Sequence, residues 1–257
     1  MRAIWSGSIG FGLVNIPVKI YSATSPGRID FDMLDKHDHS NINFMRVNEK
    51  TGKEVKWENI IKGYKLANDE YVVLTEQDFA KAAAEKNQLI EIKEFANEDA
   101  IDSIYYETPY YLVPDNTGKR AYALLCEALT KTKKVGVAIF VMRTKETLAV
   151  LKAHKNMIVL NCLRFHEEIK DPTDLPLPSN TPIKETELKM AINLIASQTG
   201  KFNIAAYKNT YQDQLMKIIQ AKIKGVKIKT PHLKVVKTKS TDLMSKLKAS
   251  LKHKKAA

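Results

Sequence analysis

The chain has 257 residues, 44% of them hydrophobic and 27% charged, a globular composition long enough for one large domain or two small ones. Its net charge of +12 points to an anionic partner. No apolar stretch approaches the roughly 20 residues that span a bilayer, and the opening MRAIWSGSIGFGLVNIPVKIY lacks the charged, apolar and small-residue series of a signal peptide, so neither a membrane-spanning nor a secreted protein is expected.

The first 25 residues read as strands. Residues 4–11 have mixed faces, and Leu13, Val14, Ile16, Val18 and Ile20 form an apolar strand in which Pro17 argues for an edge or a bulge. Gly7, Gly10 and Gly12 allow a sharp bend or a close neighbour, but GSIGFG has neither the spacing nor the following helix of a dinucleotide fingerprint. Residues 30–74 alternate polar turns with short strand-like pieces at Ile42 to Met45, Lys53 to Trp57 and Glu70 to Leu74. Asn48 to Glu54 is a turn, with Gly52 in its left-handed position. Thr75 to Glu85 reads as a helix capped by Thr75, with Asp78 three residues on.

Leu89 to Phe95 returns to strand, Asp99 to Pro109 is acidic and turn-like, and Tyr110 to Val113 is a strand ending at Pro114. Residues 118–130 predict a helix whose buried face carries Ala121, Leu124, Leu125, Ala128 and Leu129. Strands follow at Val135 to Met142, Leu148 to Leu151 and Met157 to Phe165, with turns at Arg143 to Glu146 and Lys152 to Asn156. Short strands with tight turns suggest an antiparallel barrel or sandwich and not βαβ repeats. Residues 171–184 hold four prolines and read as an exposed extended linker that ends the core domain of residues 1–170. Two helices occupy residues 185–225, on Leu188, Ala191, Ile192 and Ile195, then on Tyr211, Leu215, Ile218 and Ile219. They cannot bury both faces alone and should pack on the core or on a partner chain. Residues 226–257 form a basic tail, with Leu243, Leu247 and Leu251 spaced as in a marginal helix that orders on its partner.

The charge is unevenly spread. Residues 222–257 hold twelve lysines and one acid, residues 28–115 hold eleven Lys/Arg against nineteen Asp/Glu, and residues 116–166 hold ten against two. A duplex or single strand of nucleic acid is the natural partner of such a tail. A solubilising end is the bland alternative, and an anionic membrane is disfavoured because the tail has no aromatic anchors. Two cysteines, Cys126 and Cys162, in apolar surroundings indicate buried thiols in a reducing compartment without need of a disulfide.

No catalytic motif is present: no nucleophile elbow, no P-loop, no HExxH. The pair His37 and His39 has too few further ligands nearby for zinc, and no acid stands out as a magnesium ligand, so no catalytic, cofactor or metal site is expected. The candidate site is basic. Lys36, Arg46, Lys50, Lys53, Lys56 and Lys62 lie on the early strand-and-turn segment. Lys131, Lys133 and Lys134 follow the helix of 118–130, where they also suit its dipole, and Arg143 and Lys145 lie in the turn after the first strong strand, as Lys152 and Lys155 do after the next. Lys237, Lys239, Lys246, Lys248, Lys252, Lys254 and Lys255 lie in the tail. Lysine contacts phosphate more than base edges, so binding should be independent of sequence. A general nucleoid-associated or RNA-binding protein acting through its tail is the alternative, and a magnesium-dependent nuclease a further one.

The stretch Met1 to Thr24 resembles the start of the bacterial Ku proteins. The likeness continues through Gly52 to Tyr64 (GKEVKWENIIKGY), Glu70 to Thr75, Tyr110 to Pro114, Lys119 to Leu125, Leu188 to Tyr211 and Leu215 to Gly225, covering about residues 1–225. The resemblance implies a mainly β fold with α: a Ku-type barrel core that forms a ring as a homodimer, with a helical C-terminal arm for dimerisation and partner binding and a flexible lysine-rich tail. It implies threading onto double-stranded DNA ends, recruitment of a multifunctional ATP-dependent DNA ligase in non-homologous end joining, no enzymatic activity, no cofactor, no membrane, and a cytoplasmic, nucleoid-associated place. The bridge over the DNA would be roughly His37 to Lys62. Many relatives carry a Cys-x-x-Cys before the Gly-Lys-Glu-Val stretch. Asn48 to Thr51 replaces it here, so the resemblance places no metal there.

Overall fold

The structure, a computed structural model, describes residues 1–226 apart from 26, 28, 83–87, 144 and 179–181, together with Leu247. It divides into two compact units, Met1–Pro172 and Thr173–Ala257.

The first unit is built on a closed barrel of seven strands: β1 (Trp5–Phe11), β2 (Val14–Ser22), β5 (Leu89–Asn97), β6 (Tyr106–Pro114), β7 (Lys134–Met142), β8 (Lys145–His154) and β9 (Met157–Leu163). Their order round the barrel is β1-β2-β6-β9-β8-β7-β5, and β5 pairs back to β1. Every pairing is antiparallel except that closing one. Closure leaves no open sheet edge. The closing pair depends on Gly7. Ser8 N donates to the Gln88 carbonyl at 2.8 Å, and a Cβ at Gly7 would strike that carbonyl and the Trp5 ring. Gly12, at φ 59°, turns the chain between β1 and β2. Pro17 sits where β2 pairs with β1 alone, because the β2–β6 ladder starts at Val18. The missing N–H therefore costs no ladder bond.

Alternate residues point inward. Ile16, Val18 and Ile20 of β2 meet Ile158, Leu160 and Cys162 of β9, with Ile9, Ile90, Phe140 and Leu151 in the same core. A second cluster, Val135, Val150 and Leu163, lies outside the barrel under Ile101, Tyr105 and Tyr106. One helix, α2 (Lys119–Thr132), packs against β2, β7, β8 and β9. Its buried stripe is Tyr122, Leu125, Cys126 and Leu129, whereas Leu124, expected on that face, is exposed. The Tyr122 hydroxyl donates to the Leu112 carbonyl at 2.7 Å and accepts from Ile158 N at 2.6 Å, two residues paired across β6 and β9. Tyr122 thus pins helix to barrel, and burial raises its phenol above the ordinary range. Tyr122→Phe leaves a buried carbonyl and N–H short of partners. We expect a loss of about 1–3 kcal/mol in stability by denaturant unfolding, and an unchanged midpoint would mean the two groups pair with each other instead.

Between β2 and β5 the chain leaves the barrel. Apart from the two-stranded sheet of β3 (Lys62–Lys65) and β4 (Tyr71–Leu74) and the helix α1 (Glu76–Ala82), it holds isolated bridges Leu34↔Asn41 and Val47↔Glu54 and a 3-10 turn at Trp57–Asn59. The strands expected at Ile42 to Met45 and Lys53 to Trp57 are therefore absent, since neither segment has a neighbour to pair with beyond those bridges. The turn at Asn48 forms as expected. Gly52 has φ 64°, and the Asn48 side chain accepts from Lys50 N and Thr51 N, each at 3.0 Å. Thr75 caps α1 through reciprocal bonds with Asp78.

In the second unit, the described residues of 173–184 are exposed and, past the 3-10 turn Pro172–Asp174, lie outside helix and strand. The helices α3 (Glu185–Gln198) and α4 (Thr210–Ile223) follow, and none of the unit's described residues is buried. Residues 227–257 other than Leu247 lie outside the described residues, and the marginal tail helix expected there with them.

Candidate nucleic-acid interface

The six early cations share one excursion from the barrel. Lys36 sits in a tight turn where Asp35 accepts from His37 N at 2.7 Å and Asp38 from Ser40 N at 2.9 Å. The Ser40 backbone N–H, and with it the Ser40 hydroxyl, holds the Asp38 carboxyl below its usual range. Lys50 and Lys53 occupy the Asn48–Gly52 turn, whose backbone is closed by Asn48 N donating to the Lys53 carbonyl at 2.9 Å. Lys56 precedes the 3-10 turn, and Lys36, Lys50, Lys53 and Lys56 are exposed with no ion-pair partner among the described residues. Arg46 stacks on Trp57, 4.7 Å from the ring centroid, and the Lys62 ammonium lies 4.5 Å from the Phe79 ring. The segment also presents bulky apolar groups: Phe44 is 77% exposed and Trp57 72%.

The barrel cations do not form one patch. Lys134 begins β7 and Met142 ends it, eight steps apart, about 26 Å at ~3.3 Å per residue. Lys131, Lys133 and Lys134 therefore sit at one end, and Arg143 and Lys145 at the other. Several are already engaged. Lys131 pairs with Glu127 at 2.8 Å, the Lys134 ammonium donates to Asn97 Oδ1 at 2.7 Å, and Lys145 pairs with Glu168 at 2.9 Å. The hydrogen bond to Glu168 raises the Lys145 ammonium above its ordinary value and lowers the carboxyl in turn. Lys133 caps α2 in the left-handed region at φ 55°, and Arg143 opens the β7–β8 turn at φ 62°. Lys152, salt-bridged to Glu98, and Lys155 lie with Lys133 and Lys134 around one hollow. That grouping is invisible in the sequence, because the lysines come from two segments about twenty residues apart. Lys237, Lys239, Lys246, Lys248, Lys252, Lys254 and Lys255 lie outside the described residues.

Nothing among the described residues forms a group of three or more His, Cys, Asp and Glu able to hold a metal. His37 and His39 stand in the exposed Asp35–Ser40 turn. Cys126 and Cys162 are free and buried, and burial pushes the Cys162 thiol to about 11. No helix among the described residues is long and apolar enough to cross a membrane.

The model of the Ku70/Ku80 β-barrel domain family matches residues 10–190. Three relatives called non-homologous end joining protein Ku align over nearly the whole length of both chains. The Archaeoglobus fulgidus protein is 40% identical over 252 residues, covering 98% of this chain and 98% of that one. The Coxiella burnetii protein is 36% identical, covering 98% and 95%. The Mycobacterium tuberculosis protein is 34% identical, covering 100% and 97%. A seven-stranded barrel interrupted after its second strand by a cation-bearing excursion, matched over this span and at these identities, makes the chain a member of the Ku family, with the bacterial non-homologous end joining proteins.

Proposed function

We propose that this protein binds the ends of double-stranded DNA without regard to sequence, as a ring-shaped homodimer threaded onto the duplex, and brings a multifunctional ATP-dependent DNA ligase to the break in non-homologous end joining. The observation that carries this is the excursion after β2: Lys36, Lys50, Lys53 and Lys56, exposed and without an ion-pair partner among the described residues, on the same segment as Arg46 and Lys62 and outside the barrel core. The names of the relatives support the repair role. The chemistry asks for no catalysis and no cofactor, since lysine on phosphate neutralises charge and releases counterions. Residues 1–170 supply barrel and bridge, 171–184 a linker, 185–225 the arm for dimerisation and partners, and 226–257 a basic tail. The nucleoid in the cytoplasm is where such a protein works.

The phosphate contacts on this reading are the six bridge cations, Lys131, Lys133, Lys134, Arg143 and Lys145 on the barrel, and the seven tail lysines. Changing Lys36, Lys50, Lys53 and Lys56 together to Gln is expected to flatten the dependence of log affinity on log salt by ~0.9 for each phosphate that is no longer neutralised. Removing residues 226–257 should flatten it further while leaving end binding in place. An unchanged slope in the quadruple variant means the bridge does not touch DNA, and a tail-less protein with no duplex affinity moves the activity to the tail. End recognition itself stands or falls on whether linear duplex outcompetes a closed circle of the same sequence.

A further inference from the structure

Two hollows adjoin at one end of the barrel. The larger, about 840 Å³, lies at the start of β7, the end of β8 and the C-terminal end of α2. Lys133, Lys134, Lys152 and Lys155 line it beside Glu98 and Asp99. The smaller, about 300 Å³, lies between α2 and the strands β1 and β5, and its walls include Phe11, Phe95, Leu125 and Ala128. Leu129 and Lys134 line both, so the two make one groove, apolar at one end and basic at the other.

Within the basic end Lys152 is held by Glu98 and Lys134 by Asn97. Lys133 and Lys155 have no carboxylate partner among the described residues. Both sit at left-handed backbone, φ 55° and 56°, a conformation that ordinarily selects Gly or Asn. Two lysines at such positions bring unpaired positive charge to one groove.

We infer that this groove is a docking site for an acidic linear segment of a partner protein, with a bulky apolar side chain against Phe11, Phe95 and Ala128 and its carboxylates at Lys133 and Lys155. The apolar end separates this from a phosphate surface. A duplex backbone gains nothing there, whereas a peptide can bury a side chain against it. The chain's own tail is the wrong sign, with twelve lysines against one acid over residues 222–257. The inference does not rest on the DNA contacts proposed above.

The test is an array of 12-residue peptides in which acidic and apolar content vary independently, probed with the full-length protein. Binding is expected to need both, and to weaken at least tenfold in Lys133→Glu/Lys155→Glu and separately in Ala128→Arg. Both variants should keep the wild-type melting temperature, and Ala128→Arg should keep full linear-duplex binding as well. Four results overturn the inference: no peptide bound, binders that need acids alone and are displaced by a short duplex, binding indifferent to both variants, or a fall in molecular mass in Lys133→Glu/Lys155→Glu, which assigns the groove to a second copy.

Discussion

A linear duplex is expected to displace this protein from a covalently closed circle of the same sequence by at least about tenfold at matched salt, a difference of about 1.4 kcal/mol or more. The two DNAs carry the same phosphates and bases, so no sum of lysine contacts on an open surface separates them. Lysine is a point charge without the bidentate geometry that reads a base edge. The bridge cations are of that kind except Arg46, whose guanidinium is stacked on Trp57. Selectivity for ends must then come from topology: a closed path round the duplex admits a free end and excludes a circle. Once loaded, the protein meets the same charge at every step of the backbone and can move along it. Streptavidin fixed to biotinylated ends after loading should therefore trap it at high salt, and the same block applied first should keep it off. Equal affinity for line and circle would reduce the bridge to an open basic patch and end the ring account.

The barrel was legible where the chain runs apolar between two turns. Val135 to Met142 and Met157 to Leu163 face the core at every second residue and form β7 and β9. The helix of α2 was legible too, but its stripe was set off by one position. Leu124 is exposed, and Tyr122 and Cys126 are buried in its place, because hydrophobicity alone does not reveal that a tyrosine hydroxyl has two backbone partners waiting. The start of β6 was hidden by Pro109, which the strand accepts at a register shift between Tyr106 and Pro109. The strand Lys62–Lys65 carried no signal, since every residue in it is exposed and its one partner is β4. Conversely, Ile42 to Met45 looks like a strand and is not one, for want of a neighbour. The parallel β1–β5 closure is a contact across about eighty residues that no local pattern encodes. For the site, the number of cations was legible and their grouping was not. Lys134 and Arg143, nine residues apart in sequence, end up at opposite ends of one strand.

The protein is expected to have twice the 29.1 kDa mass of one chain, and Phe44→Asp with Ile61→Asp is expected to halve it and to cut end binding at least about tenfold. The reason lies in the bridge. Phe44, Trp57, Ile61 and Tyr64 are all at least 66% exposed in the single chain, and none belongs to the barrel's core clusters. Monomeric proteins rarely leave so many bulky apolar side chains of one segment in water. A second copy of the same segment is a symmetric cover, added to the contact that the 185–225 arm would make. Covering each such side chain contributes about 1.5–3 kcal/mol, so losing two from each copy, four in the dimer, removes about 6–12 kcal/mol of association energy, enough to dissociate a dimer at working concentration. Trp57 is deliberately kept, because it orients Arg46 and its loss would confound assembly with phosphate contact. The variant barrel should melt as the wild type does, since both substitutions lie outside its core. Leu13→Asp, at the fully exposed turn between β1 and β2, is the matching control and should change neither mass nor binding. A wild-type protein that is monomeric, or a monomeric variant that still holds DNA ends with full affinity, would show that enclosure by two copies is not how the ends are bound.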